Sequence, residues 1–216
     1  MKLLRLLAIL AVVTLASGAF AAAPAAAPQV LAPGIADLNQ LPERDLAALP
    51  GMTPDIAKAF VAKRPFASIV DANAFLLDQK LTQAQLTAIY ETAFVPLNLN
   101  TATVPEILLV PRIAQRMRIE FPEYRPWKTM AQFDREIGKY VGADETNRLK
   151  KYVFIPIDLN TATDDQILSI PGIARRMTIE FKEYRPWKTK EQFDREIGKY
   201  VGPQETARLW RYVVIQ

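Results

Sequence analysis

The chain has 216 residues, with 27 Lys and Arg against 23 Asp and Glu, a formal charge of +4, and neither histidine nor cysteine. Without those two residue types the commonest zinc, haem and thiol-nucleophile chemistries are closed, and there is no disulfide framework or lipid-attachment cysteine. The small positive excess admits a polyanionic partner without demanding one.

Residues 1–21 read as a secretory signal peptide. Lys2 and Arg5 form the positive n-region, Leu6 to Ala16 is an uncharged apolar core too short to span a bilayer, and Ala19-Phe20-Ala21 offers a small-x-small cleavage site. The expectation is an exported protein, periplasmic or extracellular, with no stable membrane insertion after cleavage. Residues 22–34, with Pro24, Pro28 and Pro33 among mostly Ala, Gln, Val and Leu, read as a semi-extended Ala/Pro-rich linker.

Beyond the linker the chain repeats itself. Leu99-Asn100-Thr101-Ala102-Thr103 recurs as Leu159-Asn160-Thr161-Ala162-Thr163. Glu123-Tyr124-Arg125-Pro126-Trp127-Lys128-Thr129 recurs as Glu183-Tyr184-Arg185-Pro186-Trp187-Lys188-Thr189. The match runs on to Gly142 and Gly202, with a period of 60 residues and two thirds of aligned positions identical. A divergent first copy aligns at one offset: Asp37-Leu38-Asn39, Leu49-Pro50-Gly51 and Arg64-Pro65-Phe66 match Asp158-Leu159-Asn160, Ile170-Pro171-Gly172 and Arg185-Pro186-Trp187. Three units follow, at 35–96, 97–156 and 157–216. From residue 29 onward their net charges are −2, +3 and +1, so a polyanion-binding face should favour the middle unit.

Each unit reads as short helices. Thr103-Val104-Pro105-Glu106 and Thr163-Asp164-Asp165-Gln166 are capping boxes that open a first helix. Pro171-Gly172 breaks it, and a second helix is expected from Ala174 to Tyr184, ended by Arg185-Pro186. Thr129-Met130-Ala131-Gln132 and Thr189-Lys190-Glu191-Gln192 read as further capping boxes. The helix from Thr189 is expected to stop at Lys199, with Gly202 as punctuation and Pro203 opening a fourth helix through Tyr212. In the first unit Thr53-Pro54-Asp55 and Thr82-Gln83-Ala84-Gln85 give helix starts, and residues 153–157 read as an extended connector. The fold class is therefore all-α, two helical hairpins per unit.

Leu159-Asn160-Thr161-Ala162-Thr163, then Ile167 to Ile173, resembles the opening of the helix-hairpin-helix module of the ComEA family; Tyr184 to Thr189 resembles its next segment, and Val201-Gly202-Pro203 its second hairpin. The resemblance covers nearly all of 35–216 as three tandem (HhH)2 modules. It implies sequence-independent binding of double-stranded DNA, as in uptake across the cell envelope. Tight glycine hairpins would present backbone N–H groups to phosphates, with no metal or cofactor required. Carried over position by position, the DNA-binding residues are Gly51, Met52 and Thr53; Arg112, Ile113, Ala114, Gln115 and Arg116; Gly172, Ile173, Ala174, Arg175 and Arg176; and Gly142 and Gly202 of the second hairpins. The chain departs from the family where Ala174 takes the second glycine position and where Arg112 and Ala114 replace both glycines. The arginines are expected to supply side-chain donors in exchange. The first unit also looks like the helix-hairpin-helix extrinsic subunit of photosystem II, which implies the rival reading: a scaffold that docks envelope proteins and no longer binds DNA.

Other residues read as architecture. Trp127 and Trp187 align with Phe66 and are expected in the core. Asn100 and Asn160 are expected to organise the local turn into the first helix. Asp134/Glu136 and Asp194/Glu196 sit at i, i+2 and do not face each other, so they read as surface charges, and no nucleophile–base pair or nucleotide loop points to an enzyme.

Overall fold

The computed structural model describes residues 35–216; the signal-peptide and linker readings fall on residues 1–34 and lie outside the described residues. The described part is mostly helical, and no helix in it is long and apolar enough to cross a membrane. Three parallel pairs of two-residue strands each bring together the two ends of one unit. β1 (Ala36–Asp37) pairs with β2 (Ala93–Phe94), β3 (Leu97–Asn98) with β4 (Val153–Phe154), and β5 (Ile157–Asp158) with β6 (Val213–Val214). The connector expected at 153–157 is thus the closing strand of one module, Ile155-Pro156, and the opening strand of the next.

Inside these clasps the first module holds α1 (Glu43–Ala47), α2 (Pro54–Lys63), α3 (Ile69–Asp78) and α4 (Gln83–Tyr90). The second holds α5 (Val104–Leu108), α6 (Met117–Glu123) and α7 (Met130–Leu149), and the third α8 (Asp164–Leu168), α9 (Met177–Glu183) and α10 (Lys190–Trp210). The third and fourth helices expected separately are both present: α7 and α10 each comprise two helices that meet at a non-helical glycine. Only Gly142 and Gly202 interrupt them, at φ 77°. Thr82, Thr103 and Thr163 form reciprocal capping boxes. Thr129 and Thr189 do not: each accepts the amide of Gln132 or Gln192, but the glutamine side chain turns to the amide of Lys128 or Lys188 instead.

The second helix of the repeated modules begins at Met177, not Ala174, and at Met117 in the other copy. The reason is a missing cap. In the first module Thr53 accepts the amide of Ile56 at 3.2 Å, and Pro54 opens the helix directly behind it. Ala114 and Ala174 stand at the position of Thr53 and cannot accept. The chain therefore stays irregular until Arg116 and Arg176, which take the cap position without a side-chain bond.

Asn100 and Asn160 are corrected from local turn-formers to long-range clamps, and Asn39 is a third such clamp. Each donates through Nδ2 to the carbonyl, and accepts through Oδ1 the amide, of the aromatic residue 27 positions on: Phe66, Trp127 or Trp187. The local turn belongs to Asp37, Asn98 and Asp158, which accept the amide two residues ahead. A second clamp is the arginine before the cis proline at 65, 126 and 186. Arg125 and Arg185 each bond two carbonyls of their module's opening segment, Leu99 with Ala102 and Leu159 with Ala162. Among the described residues Arg64 bonds only Leu41 and its Nε and Nη2 lack partners, and burial pushes its pKa down to about 10. The indoles of Trp127 and Trp187 are 1% exposed and donate to the carbonyls of Phe121 and Phe181.

The three modules do not share one core. Residues from Leu38 to Ile155 form one continuous apolar cluster across modules 1 and 2, with Phe94 edge-on to Tyr152 at 5.1 Å. Module 3 has its own cluster, joined to module 2 through Phe154, whose ring packs tilted against Tyr212 at 4.5 Å. Against module 1 it makes polar contacts: Gln40 Nε2 to the Pro171 carbonyl (2.9 Å), Arg211 to the Pro96 carbonyl at the module 1–2 boundary (2.8 Å), and the Tyr212 hydroxyl to Asp37 Oδ2 (2.9 Å, buried).

Candidate nucleic-acid interface

The first hairpins of modules 2 and 3 are matched loops built from different residues. Arg112 adopts φ 56°, where its counterpart Gly172 adopts φ 69°. The left-handed turn is therefore kept after its glycine is lost, at a steric cost that glycine does not carry. Ile113 and Ile173 close the turn through the carbonyls of Val110 and Ile170. The next three amides, Ala114, Gln115 and Arg116 in one loop and Ala174, Arg175 and Arg176 in the other, donate no hydrogen bond among the described residues, and all six residues are exposed. Successive unbonded amides on an exposed loop make a concavity with a partial positive charge.

The first module differs. Met52 closes its turn on the Leu49 carbonyl as Ile113 and Ile173 close theirs, but it is buried; Thr53 is spent as a helix cap; a side chain at Gly51 would run into Gln85. Its hairpin faces its own α4. At Gly172 the equivalent space is filled by Gln40 of module 1.

The arginines divide into engaged and open groups. Arg112 pairs with Glu91 of module 1 at 2.9 Å. Arg116 and Arg176 pair at i, i+4 with Glu120 and Glu180, whose side chains are 5% and 6% exposed, and lie over the rings of Tyr140 and Tyr200. Those tyrosines in turn bond Tyr124 and Tyr184. The Tyr140 hydroxyl is pushed up to about 12, chiefly by its bond with Tyr124. Arg116 and Arg176 thus tie the first hairpin to the end of the third helix, just before Gly142 and Gly202. A buried carboxylate holds each in place. Arg175 is exposed and has no ion pair among the described residues. Neither has Arg118, which the sequence reading passed over and which lies on α6 next to the loop. A side chain at Gly142 or Gly202 would meet nothing within 4 Å, so the second hairpins are open. The helices behind them start with Asp144 and Glu145, or with Glu205, which disfavour an anion.

Gln40 is the other residue that the sequence reading missed. The signal was present: Gln40 replaces the threonine found at 101 and 161, and only the longer side chain reaches another module. The paired-carboxylate candidates are surface ion pairs: Asp134 with Lys150, Asp194 with Lys190, and Glu136 and Glu196 each between an arginine and a lysine. No group of three or more metal-ligating side chains gathers among the described residues. No protein-family model, no curated protein and no solved structure matches the chain.

Proposed function

We propose that the chain is an exported, non-enzymatic binding protein that holds double-stranded DNA by its phosphate backbone through the loops Arg112–Arg116 and Gly172–Arg176. The observation that carries this reading is the pair of matched loops, each with three successive exposed amides unbonded among the described residues and with arginines at its edge. Amides and guanidinium groups suit phosphate oxygens and carry no base code, so binding would be independent of sequence and strongly dependent on salt. Gly142, Gly202, Gly51, Met52 and Thr53 play lesser parts: the first two lie beside acids, and the others face their own module. DNA uptake is the process that the family resemblance suggests.

The test is fluorescence anisotropy of a random-sequence duplex with the signal-less protein at several salt concentrations. Two loops holding one or two phosphates each give a log–log slope of about −2 to −4. Absence of binding at low salt would transfer the assignment to the second reading, a protein–protein scaffold. That reading draws on the pairing of Arg112, Arg116 and Arg176 with carboxylates and on the glutamines that stand against Gly51 and Gly172.

A further inference from the structure

The two most exposed large apolar side chains among the described residues occupy one position of the repeat. Ile119 on α6 is 54% exposed and Ile179 on α9 is 60% exposed. Each stands four residues after the middle member of a loop of open amides, Gln115 or Arg175. Arg116 and Arg176 already have helical backbone angles, so the loop's last turn leads straight into the helix. Side chains on a helix tilt toward its N-terminus and lie over the turn before them. Ile119 and Ile179 therefore lean back over Gln115 and Arg175, beside the open amides, while Met117, Glu120 and Phe121 and their counterparts Met177, Glu180 and Phe181 face inward. The first module lacks both features. Thr53 is a cap there, Pro54 has no N–H and interrupts the run of amides, and exposed Lys58 stands where the isoleucines do. The apolar side chain is present where the amides are open and absent where they are not.

A solvent-facing isoleucine beside an anion cradle gains nothing from a bare phosphate, which has no apolar surface. On a nucleic-acid strand each phosphate is flanked by two sugars. Deoxyribose presents only C–H groups where ribose carries its 2′-hydroxyl, a polar group that costs free energy to cover with an apolar side chain. We infer that Ile119 and Ile179 pack on the deoxyribose next to the phosphate that each loop holds, adding an apolar contact that salt does not screen and that favours DNA over RNA. This inference rests on the DNA reading and names the part of the backbone that the same loops would select.

The experiment compares duplex DNA with duplex RNA of the same sequence, by anisotropy at several salt concentrations. The proteins are the signal-less parent, Ile119→Ser, Ile179→Ser, their double variant, and the double variant with leucine at both positions. Serine and isoleucine have similar helix propensity and both positions are exposed, so Tm should not move. Each serine should weaken DNA binding about threefold and the two together about tenfold, the worth of covering part of an isoleucine. The salt slope should stay as in the parent, because no phosphate contact is lost. RNA should bind more weakly than DNA to the parent and should barely respond to the serines, and the leucine variant, which keeps the apolar surface, should bind DNA as the parent does. A double serine variant that binds DNA as tightly as the parent, or that loses DNA and RNA binding alike, would overturn the sugar contact and leave the DNA reading standing. If the parent binds no duplex at low salt, the DNA reading falls and takes the sugar contact with it, so the two failures are distinct.

Discussion

Modules 2 and 3 are two-thirds identical, yet the molecule uses them differently. Module 2 lies in one core with module 1, and its hairpin arginine is tied to Glu91; module 3 keeps a core of its own, and a side chain at its hairpin glycine would meet Gln40. The modules' internal frames agree bond for bond, from the asparagine and arginine clamps to the indole bonds. The difference therefore comes from what each meets in module 1. Duplication supplies a stable frame, and the divergent first copy decides how each of the others is held.

The largest effect should come from emptying one core at a time. Trp187→Ala removes a side chain that is 1% exposed, at a cost of about 3–5 kcal/mol. With its own core, module 3 should unfold in a separate step, while Trp127→Ala should weaken modules 1 and 2 together. Hydrogen exchange in rising urea reads both; a single transition for the whole chain in Trp187→Ala would mean that the cores are one.

Charge reversal comes next. Arg175 has no ion pair to lose among the described residues, so Arg175→Glu should weaken duplex binding about tenfold, the worth of one charged hydrogen bond, without moving Tm. Arg116→Glu sets a second carboxylate beside buried Glu120 and should lower both affinity and Tm. Combined with Arg112→Glu it should weaken binding sharply, and unchanged affinity in that double variant would count against the loops.

Exchanging the two hairpin residues tests the shared backbone. Gly172→Arg places a side chain at φ 69° and displaces Gln40, costing about 1–2 kcal/mol. Arg112→Gly relieves the corresponding cost at φ 56° but gives up an exposed pair worth about 0–1 kcal/mol, so its Tm should stay level or rise slightly.

The smallest difference is in acid. The bond from Arg148 holds the Glu145 carboxyl below the ordinary carboxylate range. A depressed acid contributes stability that is full above its unfolded value, about 4.3, and is lost as pH falls through its lower folded value. Glu145→Gln should flatten that part of the acid-denaturation curve slightly.

The helical starts were legible because each depends on a few neighbouring residues: Thr103 with Glu106, Thr163 with Gln166, Pro54 behind Thr53. The repeat showed that Trp127 and Trp187 are frame, since Phe66 stands in their place. Other features were hidden by distance along the chain. The partners of Asn100 and Asn160 lie 27 residues away, Gln40 reaches across 131 and Tyr212 across 175. Caps and turns are written locally because hydrogen bonds within one turn of chain need no other segment. Which arginines are engaged, which glycine packs against another module and which modules share a core depend on surfaces that exist only after the three modules have met, and only the tertiary structure decided them.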